Sequence, residues 1–201
     1  TLKIVKTLRE AKFAIYSGKV TVDGIKRKSL HHGIGLMDVI ELDGLNDIYR
    51  LVPKDGALLK PIIIDGAEKS KKLVQVKSKT TIKNGKTQIG FHDGRSLIDE
   101  TKISVGDVCV LQIPEQKILD IIKLEKGTRV LIIRGVNAGK IGTINEIKEG
   151  TFVLPKRAEI KLADRQIEIQ ANLIMPIGKD KPIIGIEWLN GTRNWKYNEN
   201  G

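Results

Sequence analysis

Polar and apolar residues alternate with two different periods along this chain of 201 residues. Ile4, Leu8, Ala11 and Ile15 recur at four- and three-residue steps, which gathers them on one stripe of a helix. Lys6, Arg9 and Glu10 face away from that stripe, Lys12 sits on its flank, and Gly18 ends the helix at a C′ position. In KVTVDGIKRK the period drops to two: Val20 and Val22 alternate with polar residues up to Asp23-Gly24, a turn signal between short strands. The prediction is a helix feeding a hairpin, with Lys19, Lys26, Arg27 and Lys28 clustered around it.

From Val39 onward the pattern becomes short strand-like segments divided by turns: VIELDG, DIYRLVPKDG, PIIIDG, KLVQVKSKTTIKNGKTQIGFHDGR and VGDVCVLQIPEQ. Asn84-Gly85 marks a second hairpin turn. Residues 44–122 therefore read as a β domain of their own, after a helix-hairpin module over 1–43. Over 123–175, Val130–Ile133, Ile141–Ile147, Thr151–Leu154, Glu159–Leu162 and Gln166–Leu173 predict five strands closing as a small barrel. Residues 176–201, with Trp188 and Trp195, form a tail without a clear pattern. The fold class expected is mainly β (α+β).

Composition sharpens this picture in two respects. Aromatics make up only 4% of a chain that is 40% hydrophobic, so the cores must be built from Ile, Val and Leu, and several small cores are expected rather than one large one. The 35 Lys and Arg against 24 Asp and Glu leave a net charge of +11, which attracts polyanions and makes nucleic acid the leading partner. No run approaches the ~20 apolar residues of a membrane span, and no signal-peptide pattern opens the chain, so a cytoplasmic protein without a membrane partner is expected. The single cysteine, Cys109, lies in the apolar stretch VCVLQI and reads as a small buried hydrophobe.

The glycines and lysine of GTRVLIIRGVNAGKIGTI (127–144) suggest a phosphate-binding loop. A nucleotide-binding loop, however, needs four residues between its glycines and a hydroxyl after the lysine. Gly135 and Gly139 are separated by three residues, Ile141 replaces the hydroxyl, and a strand rather than a helix follows. No nucleotide or other cofactor is expected. Gly127, Gly135, Gly139 and Gly142, with Val130, Ile132 and Ile144 between them, instead resemble the KOW motif, a strand-loop-strand unit opening an SH3-like barrel. In that reading Arg134, Asn137 and Lys140 face nucleic-acid phosphates.

LREAKFAIYSGKVTVDG likewise resembles the alpha-L RNA-binding module of ribosomal proteins, some tRNA synthetases and pseudouridine synthases. GIGLMDVIEL (33–42), YRLVPKDG (49–56), FHDGRSLI (91–98), VGDVCVLQIPEQKI (105–118), IKLEKGTRVLIIRGVNAGKIGTINEI (122–147) and NLIMPIGKDKP (172–182) resemble, in order, segments of the archaeal and eukaryotic small-subunit ribosomal protein S4e family. The resemblance implies an alpha-L module, a central β domain and a KOW barrel that bind ribosomal RNA without catalysis, beside neighbouring ribosomal proteins. Two departures stand out. Members usually carry a further basic arm before the helix, whereas this chain begins without Met and without that arm. The aromatic-Pro-Val that usually precedes GLMDVI is replaced by His32-Gly33-Ile34.

Enzymatic alternatives are weaker. His92-Asp93-Gly94-Arg95 could supply an acid-base pair, but Asp93-Gly94 reads better as a turn with Arg95 facing RNA or solvent. His31 and His32 are adjacent and lack further ligands at zinc-like spacing, so no metal is expected. His31 instead joins Lys28 as a phosphate contact. The expected contacts are thus Lys12, Lys19, Lys26, Arg27, Lys28 and His31 on the first module, Arg95 in the centre, and Arg134, Asn137 and Lys140 on the barrel loop. They serve a structural constituent of the small subunit on the ribosome, with no small-molecule substrate. The alternative is a KOW-containing transcription elongation factor or another non-catalytic RNA-binding protein.

Overall fold

A computed structural model describes residues 5, 7–54, 58–179 and 181–185; Ile4, Trp188 and Trp195 lie outside them. The helix α1 spans Leu8–Tyr16. A capping box holds its start: Thr7 Oγ1 accepts the Glu10 amide, and the Glu10 carboxylate accepts the Thr7 amide. Gly18 follows at φ +74°, where a Cβ would be strained. The expected apolar stripe is only partly used. Ala11, Ala14 and Ile15 are half-buried, while Leu8 stays 72% exposed and no helix residue is fully buried.

Three antiparallel five-stranded sheets follow. The first contains β1 (Val20–Val22), β2 (Ile25–Lys26), β3 (Val39–Leu42), β4 (Ile48–Lys54) and β5 (Leu58–Ile64) in the order β2-β1-β3-β4-β5. It draws strands from both sides of residue 43. Asp23 and Gly24 take φ of +51° and +75°, the conformation a tight two-residue hairpin requires.

The second sheet holds β6 (Lys71–Thr81), β7 (Thr87–Phe91), β8 (Ser96–Ile98), β9 (Val108–Gln112) and β10 (Lys117–Ile122) in the order β10-β9-β6-β7-β8. The first half of β6 pairs with β9 and its second half with β7, with a register shift between Val76 and Ser78 that makes Lys77 the bulged residue.

The third sheet, a half-barrel, comprises β11 (Arg129–Ile132), β12 (Ile141–Lys148), β13 (Arg157–Lys161), β14 (Gln166–Gln170) and β15 (Ile174–Gly178) in the order β14-β13-β12-β11-β15. The strand expected over Thr151–Leu154 is absent. The Thr151 amide donates to the Leu154 carbonyl at 2.8 Å and the Leu154 amide to Thr151 Oγ1 at 3.1 Å, closing a turn that leaves Phe152 fully exposed. Ile174–Gly178 takes the fifth place instead, beside β11.

The cores are not separate. Met37, Val39, Val52 and Ile62 of the first sheet region, Leu73, Val108 and Val110 of the second, and Leu131, Met175 and Ile177 of the third form one buried cluster. Smaller clusters sit within the second sheet, around Ile89 and Phe91, and within the half-barrel, around Ile144 and Ile160. Each buried Leu or Ile contributes about 1.5–3 kcal/mol relative to exposure. The shared cluster therefore holds the loops of all three sheets in a fixed relation.

Candidate nucleic-acid interface

Buried charge anchors the hairpin. Lys72, only 1% exposed in the middle of the protein, donates from Nζ to Asp23 Oδ2 at 2.7 Å and to Asp38 Oδ1 at 2.6 Å, and lies 3.1 Å from Asp93 Oδ2. Arg95 pairs with Asp23 through Nη2 and with Asp93 through Nε at 3.4 Å. Asp23 Oδ1 also accepts the Val39 amide at 2.9 Å, and Asp38 Oδ2 accepts the Gly35 amide at 2.8 Å. Burial disfavours the Lys72 ammonium, but the charges and hydrogen bonds of Asp23 and Asp38 outweigh it and raise its pKa above the usual lysine value. Burial likewise works against the Asp93 carboxylate, and Lys72 and Arg95 overcome it to hold its pKa below the ordinary range. Three separate segments, VDG, GLMD and HDGR, thus meet on one lysine.

The HDGR segment is a turn between β7 and β8, with Gly94 at φ +83°. His92 Nδ1 accepts the Gln75 amide at 3.0 Å, which leaves Nε2 protonated and 3.3 Å from the Leu36 carbonyl. Burial lowers the His92 pKa. Both ring nitrogens are committed to main chain, so the arrangement ties β6 to the loop before Met37 instead of presenting a base to solvent. Arg95 is committed in the same way, to Asp23 and Asp93.

The remaining expected contacts fall on two surfaces. On the first module Lys12, Lys19, Lys26, Lys28 and His31 are exposed and Arg27 is half-buried. The Lys28 stem lies over Gly18, where an added Cβ would stand 3.2 Å from its Cε. On the half-barrel, the loop joining β11 to β12 exposes Arg134 and Lys140 and half-buries Asn137, whose Oδ1 accepts from Arg165 Nη2 at 2.7 Å.

The amides of Ala138, Gly139 and Lys140 donate within that loop, to Gly135, Ile132 and Asn137 carbonyls at 2.8–3.1 Å. They are not available to cradle a phosphate, so anion binding there rests on side chains. Gly139 has a packing role: at φ +88°, a Cβ would meet the Pro53 carbonyl oxygen at 2.7 Å and Lys54 Cα at 2.9 Å. The loop glycine lets the half-barrel close on the first sheet.

Sequence reasoning missed Lys72, Arg50 and Glu68. Arg50, fully buried, donates to Glu68 Oε2 at 3.0 Å and to the carbonyls of Glu68, Lys71 and Gly185. It also missed the bulged Lys77, whose pKa burial and the charge of Arg134 both lower. Among the described residues no group of three His, Cys, Asp or Glu side chains could hold a metal, and no helix is long and apolar enough to cross a membrane.

The fold thus sets three sheets around a shared core, with cationic loops at the hairpin and on a half-barrel. The family model described as ribosomal family S4e matches residues 45–118. The small ribosomal subunit protein eS4 of Methanothermobacter thermautotrophicus is 37% identical over 186 residues, covering 92% of this chain and 77% of that protein. The Ignicoccus hospitalis protein of the same name is 34% identical over 196 residues, covering 91% and 76%. The crystal structure of the 30S ribosomal protein S4e from Thermoplasma acidophilum superposes with a TM-score of 0.73 at 32% identity, over 86% of each chain. The chain belongs to the S4e family of ribosomal proteins.

Proposed function

We propose that this protein is a structural constituent of the small ribosomal subunit in the cytoplasm, bracing ribosomal RNA without catalysis and lying beside other ribosomal proteins. One observation carries the reading. The buried Lys72 ammonium is held by three carboxylates and both terminal nitrogens of Arg50 are bonded, whereas Lys12, Lys19, Lys26, Lys28, Arg134 and Lys140 are exposed and form no ion pair among the described residues. These side chains suit phosphates, with His31, Arg27 and Asn137 at the edges of the same two surfaces. Arg95 contributes by fixing the hairpin that carries the first surface.

Helical RNA offers its backbone and 2′-hydroxyls more readily than its base edges, so shape and charge dominate this mode of binding. Relatives named as small-subunit proteins support the assignment, and none of those compared favours the transcription-factor alternative. The test is binding of the full chain to small-subunit RNA over a salt series. The log-log slope should be about −0.7 to −0.9 for each phosphate neutralised. Arg134→Glu with Lys140→Glu should weaken binding with little change in thermal midpoint; a flat salt response would defeat the proposal.

A further inference from the structure

A third basic surface runs along the seam between the second sheet and the half-barrel, and its groove is lined by residues of neither the hairpin nor the barrel loop. Its centre is an open groove of about 400 Å³ whose lining includes Lys79, Lys102, Lys123 and Lys156. The bulge in β6 turns Lys77 toward the half-barrel, where its Nζ reaches the Asn172 carbonyl at 3.4 Å; the neighbouring Ala171 amide donates to the Lys156 carbonyl at 2.9 Å. Lys77 and the groove thus meet the same short segment.

The carboxylates along the seam are occupied. Both Asp107 oxygens accept main-chain amides, from Ser104 and Leu124 at 2.9 Å. Glu125 pairs with Lys179 at 3.0 Å, and Glu149 with Lys156 at 2.7 Å. Lys79 donates to the Ile103 carbonyl at 3.2 Å, which occupies one of its three donors and none of its charge. Hydrogen bonds leave the Asp107 charge in place, so Lys77, Lys79, Lys102 and Lys123 outnumber the one seam carboxylate among the described residues that has no cation paired to it. No aromatic ring lines the groove, so nothing there would stack a base.

We infer that this seam is a phosphate-binding site that grips the backbone of an RNA strand, separate from the hairpin and the barrel loop. The inference rests on the ribosomal-RNA reading above, and the two can fail independently. In the full chain, Lys79→Gln, Lys102→Gln and Lys123→Gln together should reduce the magnitude of the salt slope for a small-subunit RNA transcript by about 2 to 3, since each phosphate no longer neutralised removes about 0.7–0.9. All three side chains are exposed, so the thermal midpoint should hold. An unchanged slope in this variant, alongside a reduced slope in Arg134→Gln with Lys140→Gln, would overturn the seam and leave the RNA reading standing. A flat slope in the unaltered protein would remove both. If the triple variant unfolds, an iron-EDTA tether on Lys102→Cys decides: in assembled subunits it should cut ribosomal RNA, and absence of cutting overturns the inference.

Discussion

Replacing Lys72 by Met probes the buried charge network directly. The substitution conserves length and apolar stem but removes the ammonium that sits within 3.1 Å of Asp23, Asp38 and Asp93. Arg95 would then still pair with Asp23 and Asp93, but Asp38, only 7% exposed, would lose its cation. Breaking a buried ion pair by removing one partner costs about 3–5 kcal/mol, because the remaining charge is left without compensation. For a chain of this size that corresponds to roughly 6–20 °C in thermal midpoint, at about 2–4 °C per kcal/mol. Thermal unfolding followed by circular dichroism gives the shift. Adding Asp23→Asn and Asp38→Asn should recover part of it, since each Asn keeps a carbonyl oxygen for the Val39 or Gly35 amide. A loss under about 2 °C in Lys72→Met, or no recovery in the combined variant, would refute the claim that the lysine compensates these carboxylates.

Other consequences are equally measurable. Ala at Gly139 should destabilise by about 2–4 kcal/mol in urea titrations, because backbone strain adds to the clash with Pro53 and Lys54, whereas Ala at Gly135, which has a similar φ and open space, should lose only about 1 kcal/mol. His92 and Asp93 both have depressed pKa values, so their contributions are present above the unfolded-state values and are lost as pH falls, below about 6.5 for His92 and about 3.9 for Asp93. Urea midpoints should accordingly decline in two steps on acidification, and His92→Gln should remove the first. Lys72 has the opposite sign: its raised pKa makes its contribution fade only as pH rises beyond about 10.4. Burial first, then Asp107 and Asp99, push the Cys109 thiol up to about 12, so it should resist thiol reagents at pH 8 until the protein is unfolded.

Local rules were legible where one short segment decides the outcome. Asp23-Gly24 needs two positive φ angles and reads as a hairpin; Gly18 reads as a helix end. Lys72 was not legible, because KKLVQV looks like any strand with a polar start and its partners stand 34 and 49 residues away at Asp38 and Asp23. Thr151–Leu154 misled for the opposite reason: its residues favour strands, but it is closed on itself by two hydrogen bonds and has no neighbour to pair with. The barrel-loop glycines stood out in the sequence, yet Gly139 meets Pro53 of the first sheet, a contact between segments about 85 residues apart that no local pattern encodes. Arg95 and Asn137 show the same limit, since their intramolecular partners Asp23 and Arg165 become visible only in three dimensions.

The most direct measurement is ultraviolet cross-linking of assembled small subunits followed by mass mapping of peptides that carry nucleotides. Adducts within Lys19–His31 and Arg134–Lys140 are the predicted result, placing both surfaces on ribosomal RNA. Subunits that contain the chain but give no adduct in either segment would contradict the account.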